Sequence, residues 1–241
     1  MYRAVNSTLA IDLSTSWTPS DVTIRKVVKP APGLAEEVLF VDRAAKTFYI
    51  WGGHVPYLAA PAKALWKFVA NGIDGVWATD LPADPNALAS IPRVERPGVA
   101  SGLGAGWYLG GFETPSSERG GDGLCRVHPG LMSYNFTTRV WANTSAVPLT
   151  PTGATIGSSI NVVPGWGAGE GILAFIGGVA MAIGSQYCFP YATSYLSLGN
   201  VTLYDPVGRA WYWQATSGDV PTFRENHCSV GVAGPNGTYE M

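Results

Sequence analysis

The chain has 241 residues and a formal net charge of −2, a length that suits one large domain or two small ones. Because it carries no strong field of either sign, nucleic acid is not an expected partner. Hydrophobic residues make up 46% of the chain, which excludes disorder as the default state. Glycine and proline (30 and 18 residues) and the 9 Trp and 11 Tyr are abundant, and charged residues reach only 13%. This composition favours an all-β protein with tight turns.

The N-terminal segment carries one half of a pattern that recurs along the chain. The stretch LAIDLSTSW ends at Trp17, and it predicts that residues 1–18 supply the last two strands of a repeat. The first half of that repeat is absent from the sequence.

Three complete repeats follow, and each contains an apolar run that ends in Gly-Gly. Two adjacent glycines allow a sharp turn where a Cβ would clash. After a variable loop, an aromatic strand leads to a Trp, and these rings are expected to pack between neighbouring repeats. The predicted signature residues are Gly52, Gly53 and Trp77 in the first repeat, Gly110, Gly111, Tyr134 and Trp141 in the second, and Gly177, Gly178, Tyr204 and Trp211 in the third.

The third repeat includes a long segment without charge, from residue 171 to residue 204. Its apolar centre, GILAFIGGVAMAIG at 171–184, is shorter than the roughly 20 residues that a membrane-spanning helix needs. The Gly-Gly pair in its middle therefore predicts two buried strands around a turn. After this repeat, HCSVGVAG and the terminal TYEM predict a first strand and the start of a second.

The segment VTLYDPVGRAWYWQATSGDVPTFRENHCSVGVAGPNGTYE at 201–240 resembles the junction between blades in fungal kelch-repeat proteins. NSTLAIDLSTSWT (6–18) and FYIWGG (48–53) also resemble that group, which shares the galactose oxidase central-domain propeller. The resemblance implies an all-β fold, a kelch-type β-propeller that is incomplete here, with about three full blades and two half-blades. The predicted divisions are an outer half-blade and linker at 1–33, blades at 34–96, 97–150 and 151–222, and an inner half-blade at 223–241. The two half-blades either pair to close a ring of four blades or leave open strand edges.

Five N-x-Ser/Thr sequons predict a glycosylated protein of the secretory pathway, extracellular or at the cell surface. The alternative is coincidence in a Ser/Thr-rich β protein. No signal peptide begins the sequence, so the chain is expected to be a fragment, and membrane attachment would need a segment absent from it. The predicted glycosylation sites are Asn6, Asn135, Asn143, Asn200 and Asn236.

Catalytic chemistry finds little support in the residues, and no catalytic, cofactor-binding or metal-binding residue is predicted. The glycine-rich loops at 102–106 and 165–171 lead into strands rather than helices, so they are interpreted as inter-strand loops. The carboxylates of Asp80, Asp84, Glu95 and Glu113 are interpreted as solvated or turn-holding loop residues, and Asp205 as a turn residue. The three histidines, His54, His128 and His227, are interpreted as hydrogen-bonded or solvated. One disulfide plus a free thiol could form among Cys125, Cys188 and Cys228, with the pair left open.

Binding is therefore the predicted task, with a protein or a glycan as partner. Long loops at 54–64, 112–130 and 179–200 carry accessible side chains, and aromatic residues in such loops stack on sugars or anchor proteins. The third loop holds the predicted binding residues Tyr187, Phe189, Tyr191 and Tyr195. The alternative is that these rings pack over the face of the propeller. The resemblance also implies an alternative function, a secreted copper-radical oxidoreductase that uses two His, a Tyr and a Tyr cross-linked to a Cys.

Overall fold

The computed structural model describes residues 7–55, 60–118, 125–181 and 194–241. Within these ranges almost all regular structure is antiparallel β-sheet, which confirms the predicted all-β fold. The α-helix among the described elements, α1, is one turn at Ala87–Ser90. No helix in the described part of the chain is long and apolar enough to cross a membrane.

The N-terminal hairpin pairs β1 (Ser7–Ile11) with β2 (Ile24–Val28). The prediction that residues 1–18 hold both strands is wrong for the second strand, since Trp17 lies in the connecting loop and is exposed. Short side chains compete with strand pairing there, because Oδ1 of Asp12 accepts the backbone N–H of Ser14 at 2.9 Å.

Three four-stranded sheets follow, and each is called a blade below. In each blade the strands run antiparallel in chain order from first to fourth. Short extra strands form between the second and third main strands of the second and third blades, and one more precedes the first main strand of the third blade. The first blade contains β3 (Val38–Asp42), β4 (Thr47–Trp51), β5 (Leu65–Asn71) and β6 (Asp74–Asp80).

The second blade contains β7 (Gly98–Gly102), β8 (Ala105–Leu109), β11 (Leu131–Asn135) and β12 (Trp141–Thr144), with β9 (Phe112–Glu113) and β10 (Arg126–Val127) in its long loop. The third contains β14 (Ser159–Pro164), β15 (Gly171–Ile176), β18 (Asn200–Asp205) and β19 (Ala210–Ala215), with the short strands β13 (Thr155–Ile156), β16 (Val179–Ala180) and β17 (Ser194–Tyr195) beside it. The segment predicted as strands around Gly177 and Gly178 thus forms β15 and β16 as far as residue 180.

The C-terminal residues form the short pair β20 (Val232–Ala233) and β21 (Tyr239–Glu240), joined by a 3-10 turn at Pro235–Gly237. The Tyr239 hydroxyl donates to the carbonyl of Val162 at 2.7 Å, so this pair packs on the third blade. In the described residues it shares no sheet with β1 and β2. The hypothesised four-blade ring, closed by pairing of these two hairpins, is therefore not formed. The domain divisions at 33, 96, 150 and 222 stay a prediction.

The aromatic pairs lie directly opposite each other on the third and fourth strands of each blade. Tyr134 faces Trp141 with ring centroids 4.9 Å apart, and Tyr204 faces Trp211 at 4.7 Å. In the first blade Phe68 takes the place of the tyrosine and faces Trp77 at 5.3 Å.

Two hydrophobic cores join the blades face to face. The first combines side chains of the first and second blades, including Phe40 and Tyr108, and the second combines side chains of the second and third, including Leu131 and Leu173. Gly106 permits the first contact, because a Cβ there would lie 2.2 Å from the Phe40 ring. Neither face of the second blade could be buried without its neighbours, which is the logic of a repeat protein.

Candidate binding face at the Gly-Gly turns

The three Gly-Gly turns lie at one end of the blades, and this end is called the Gly-Gly face. At each turn the second glycine donates its backbone N–H to a carbonyl in the segment that enters the next blade. The bonds are Gly53 to Val94 at 3.0 Å, Gly111 to Thr155 at 2.7 Å and Gly178 to Arg224 at 2.7 Å. All six glycines have positive φ angles, a conformation that other L-residues rarely adopt.

A series of four residues with left-handed backbone lies beside this face, where successive repeats meet. The place is called the hub below. The four residues stand at equivalent places in the repeats. Glu36, Arg96 and Gly157 come just before the first strand of a blade, and Asn226 takes the corresponding position after the third blade. Their φ angles lie between 51° and 63°. The N–H of Gly157 donates to the carbonyl of Arg96 at 3.0 Å, and the N–H of Asn226 donates to that of Gly157 at 2.9 Å. An open recess of about 440 Å³ lies among Glu36, Glu37, Arg96, Pro97 and Asn226.

One group of metal-ligating side chains converges beside this recess, and one of its members, Glu36, also lines the recess. Among the described residues, the ligand atoms of Glu36, His54 and Glu95 lie within 4.8 Å of one another. Oε2 of Glu95 is 3.0 Å from Nδ1 of His54, and Oε1 of Glu95 accepts the Thr114 hydroxyl at 2.6 Å. Both oxygens of Glu36 accept from Nε of Arg96, at 3.0 and 3.1 Å.

Burial raises the pKa of Glu95, while the hydrogen bond from Thr114 and the neighbouring His54 oppose that rise. The prediction that Glu95 is a solvated or turn-holding loop residue is wrong, since only 4% of it is exposed. Asp80 is buried as well, at the end of β6, where it pairs with Lys67 at 2.7 Å and accepts the Tyr134 hydroxyl. Both carboxylates are tied to side chains distant in sequence, which no local pattern reveals.

A second imidazole–carboxylate pair lies in the long loop of the second blade. Nε2 of His128 is 2.9 Å from Oε2 of Glu113, and this interaction lowers the pKa of Glu113. Glu113 is on β9 rather than a free loop residue, and Arg126 is its cross-strand partner. His227 stands apart from both pairs, and burial followed by the nearby Arg224 charge lowers its pKa.

The predicted aromatic binding residues are only partly within the described ranges. Tyr187, Phe189 and Tyr191 lie outside them. Tyr195 is on β17 at the Gly-Gly face, 40% exposed, and stacks on Phe223, which is 55% exposed. Their ring centroids are 4.0 Å apart with planes inclined by 23°. Sequence reasoning missed Phe223, which comes one residue before Arg224, whose carbonyl accepts the N–H of Gly178.

Of the predicted sequon residues, Asn143, Asn200 and Asn236 are exposed. Asn135 is half-buried, and its Oδ1 accepts the N–H groups of Thr137 and Thr138 at 3.0 and 2.8 Å. Asn6 lies outside the described residues.

The cysteines divide into two states. Cys125 is disulfide-bonded, whereas Cys228 is an exposed free thiol. Cys188 lies outside the described residues.

Sequence reasoning also missed Glu36 as a member of the convergent group. A usable signal was present, since Glu36 and Arg96 stand one repeat apart and both precede the first strand of a blade. The sequence repeats were aligned on their Gly-Gly and Trp residues, and that alignment does not extend to the strand entrances. The group holds one histidine and two carboxylates, whereas the copper-radical ligand set has two histidines and two tyrosines, so the group does not fit that chemistry.

Four-stranded blades with Gly-Gly turns at one face, opposed aromatic residues and face-to-face packing define a kelch-type fold. In agreement, the chain is similar to a kelch repeat-containing protein of the fungus Arthroderma benhamiae, with 23% identity over 267 residues and 95% of this chain. The chain spans 38% of the length of that relative. The predicted resemblance to fungal kelch-repeat proteins is thereby confirmed.

Among solved structures, that of YjhT is similar with a TM-score of 0.48 and 18% identity. The likeness covers 78% of this chain and 53% of YjhT. No family model matches the sequence.

Proposed function

We propose that this chain is part of a non-catalytic kelch scaffold that binds a protein or a glycan through its Gly-Gly face. The observation that carries the proposal is the exposed stack of Tyr195 and Phe223 on that face. The two solvent-exposed rings offer a large apolar surface to a partner. Because each ring already restricts the rotation of the other, little further side-chain entropy is lost when the partner binds. Tyrosine rings are enriched at the centres of protein interfaces, and flat aromatic surfaces also stack on sugars.

The position of the stack supports the same proposal. β17 pairs with β16, which directly follows Gly178, and Gly178 is anchored to Arg224, the neighbour of Phe223. The two rings therefore stand on backbone fixed by hydrogen bonds. A rigid support of this kind is what binding residues on loops need.

The proposed compartment is the secretory pathway, with the protein extracellular or at the cell surface. The sequons support it, and exposed Asn143, Asn200 and Asn236 have room for a glycan. Material expressed through a secretory host should lose several glycan masses on treatment with an endoglycosidase. An unchanged mass would contradict the proposal.

Two experiments in parallel test the binding proposal. The purified chain is immobilised as bait to capture proteins from a fungal culture supernatant, and the same chain is applied to an array of cell-wall glycans. Tyr195→Ala and Phe223→Ala should each abolish most of the capture. The matched control is Trp166→Ala, which removes a ring that is 52% exposed in the β14–β15 hairpin, at the opposite end of those strands.

A protein captured by the parent and by Trp166→Ala, but not by Tyr195→Ala, supports a protein partner. The same ordering on the array supports a glycan. Equal loss in the control and the two test variants, or no binding of either kind, contradicts the proposal. The copper-radical alternative gains no support from the convergent group of donors, so it is not proposed.

A further inference from the structure

We infer that Glu36, His54 and Glu95 form a binding site for a divalent transition-metal cation of the zinc class at the hub of the blades. The inference is independent of the proposed binding partner. It starts from the donor set, because zinc accepts imidazole nitrogen and carboxylate oxygen together. One nitrogen and two oxygens within 4.8 Å of one another supply three such donors.

The separations suit a tetrahedral ion with modest adjustment. Zinc bonds to nitrogen and oxygen are about 2.0–2.2 Å long, so two ligand atoms stand about 3.3 Å apart. Nδ1 of His54 and Oε2 of Glu95 are already 3.0 Å apart. The Glu36 side chain is one-third exposed, so it can move the remaining distance without disturbing the core.

The Nδ1 atom of His54 gives a further indication, because it lacks a hydrogen bond at the point where the two carboxylates converge on it. It is buried, and among the described residues it has no partner with hydrogen-bond geometry, despite its closeness to Glu95. A buried polar atom without a hydrogen bond is costly unless something else satisfies it. A cation between the imidazole and the carboxylates would satisfy that atom.

Backbone contacts hold the donors in place before any ion arrives. Ala35 and His54 exchange two backbone hydrogen bonds, of 2.9 and 3.0 Å, which fixes His54 beside Glu36. Glu95 exchanges two with Phe112, of 2.8 and 3.1 Å. The donors thus come from two successive repeats whose relative position is set by the Gly-Gly turns.

The surrounding groups complete the arrangement. Thr114 binds Oε1 of Glu95 and leaves Oε2 for the ion, an outer contact of the kind that orients metal ligands. Arg96 binds Glu36 and offsets one of the two carboxylate charges. The two carboxylates and the Arg96 guanidinium leave a formal charge of −1, which suits a divalent cation. The open recess lined by Glu36 and Arg96 leaves room for water ligands on the Glu36 side.

The test uses isothermal titration with Zn²⁺ and the visible absorption of bound Co²⁺ at pH 7, with the whole chain. Cys228→Ser serves as the parent, because the exposed thiol would bind zinc by itself. The parent should bind one ion per chain, and cobalt should give a spectrum without the sulfur charge-transfer band. His54→Ala, Glu95→Gln and Glu36→Gln should each weaken binding at least about tenfold, the lower end of the loss seen even for outer contacts.

The matched control is the His128–Glu113 pair, which offers the same residue types at 2.9 Å. Nε2 of His128 is also buried without a hydrogen bond, but this pair has no third converging donor among the described residues. His128→Ala and Glu113→Gln should bind zinc like the parent. Equal weakening in this pair, unchanged binding in Glu36→Gln, or no binding by the parent at millimolar zinc would each overturn the inference. Because the Glu36 side chain is one-third exposed, Glu36→Gln keeps the test valid if a variant of the buried Glu95 fails to fold.

Discussion

At the scale of single residues, Asp205 shows how one carboxylate organises two loops. Its Oδ1 accepts the N–H groups of Val207 and Gly208, both at 2.9 Å, and its Oδ2 accepts that of Ala168 at 2.6 Å. These backbone hydrogen bonds, led by the one from Gly208, lower the pKa of Asp205. The residue therefore ties the β18–β19 hairpin to the β14–β15 hairpin of the same blade.

Asp205→Asn should destabilise the protein at neutral pH and much less in acid. A carboxyl with a folded-state pKa below its unfolded value of about 3.9 stabilises the fold above that pH. That stabilisation is lost as the pH falls through the folded-state pKa. Urea unfolding of both proteins between pH 7 and pH 3 should show the difference in unfolding free energy shrinking.

Asp12→Asn is the control for this prediction, since it removes the charge from a similar carboxylate cap in an exposed loop and should change stability little. A difference between wild type and Asp205→Asn that stays constant with pH would mean that the charge of Asp205 is not what stabilises the fold.

At the scale of elements, the Gly-Gly turns require glycine for two reasons. The backbone there is left-handed, and the neighbouring segment approaches too closely to leave room for a Cβ. A Cβ on Gly110 would lie 2.1 Å from the carbonyl oxygen of Thr155, the same oxygen that accepts the N–H of Gly111. Gly104, in the β7–β8 hairpin, has a similar φ of 71° but nothing within 4 Å of an added Cβ. The two positions separate the steric effect from the conformational one.

Gly104→Ala should lower the free energy of unfolding by about 1–2 kcal/mol, the penalty of left-handed backbone for a residue with a Cβ. Gly110→Ala should lower it by about 1–3 kcal/mol more, because the neighbouring segment must also move. Chemical denaturation of both variants measures this. Equal losses of unfolding free energy in the two variants would show that the segment around Thr155 moves aside for the added Cβ without cost.

The sequence predicts the elements whose signal is local. Gly52 and Gly53 with the strand before them, and the tyrosine–tryptophan pairs, can be predicted because turn chemistry and alternation act within a few residues. The second strand of the N-terminal hairpin could not be placed, because Trp17 imitates the repeat pattern while Asp12 and neighbouring polar residues favour a loop. The convergent group of Glu36, His54 and Glu95 also escaped prediction, since it depends on how successive repeats meet at the hub.

At the scale of the whole molecule, the blades are expected to be stable only together. Leu131 is fully buried, and it belongs to the core shared by the second and third blades. In repeat proteins the interfaces between neighbours contribute a large part of the stability. Damage to this core should therefore reach beyond the blade that carries it.

Leu131→Ala should lower the free energy of unfolding by about 2–5 kcal/mol, the range for a buried leucine cut to alanine. Hydrogen exchange should show weaker protection in β14 and β15 as well as in β8. Val76→Ala, at a position 69% exposed on β6, should change stability by no more than about 0.5 kcal/mol. Loss of protection confined to the second blade would show that the blades unfold independently.

The left-handed residues at the hub have a consequence for how such a molecule can diversify. Peptide groups alone link Arg96 to Gly157 and Gly157 to Asn226, so these links depend on no side-chain contact. The side chains are still restricted by the left-handed backbone, and a Cβ on Gly157 would lie 2.9 Å from the backbone nitrogen of Asn226. An acid, a base, a bare glycine and an amide occupy the four equivalent positions. When a gene segment encoding one repeat is copied, these backbone links are inherited, while side chains that tolerate left-handed backbone can differ from repeat to repeat. The recess at the centre can thereby acquire new ligands without the blades having to be rebuilt.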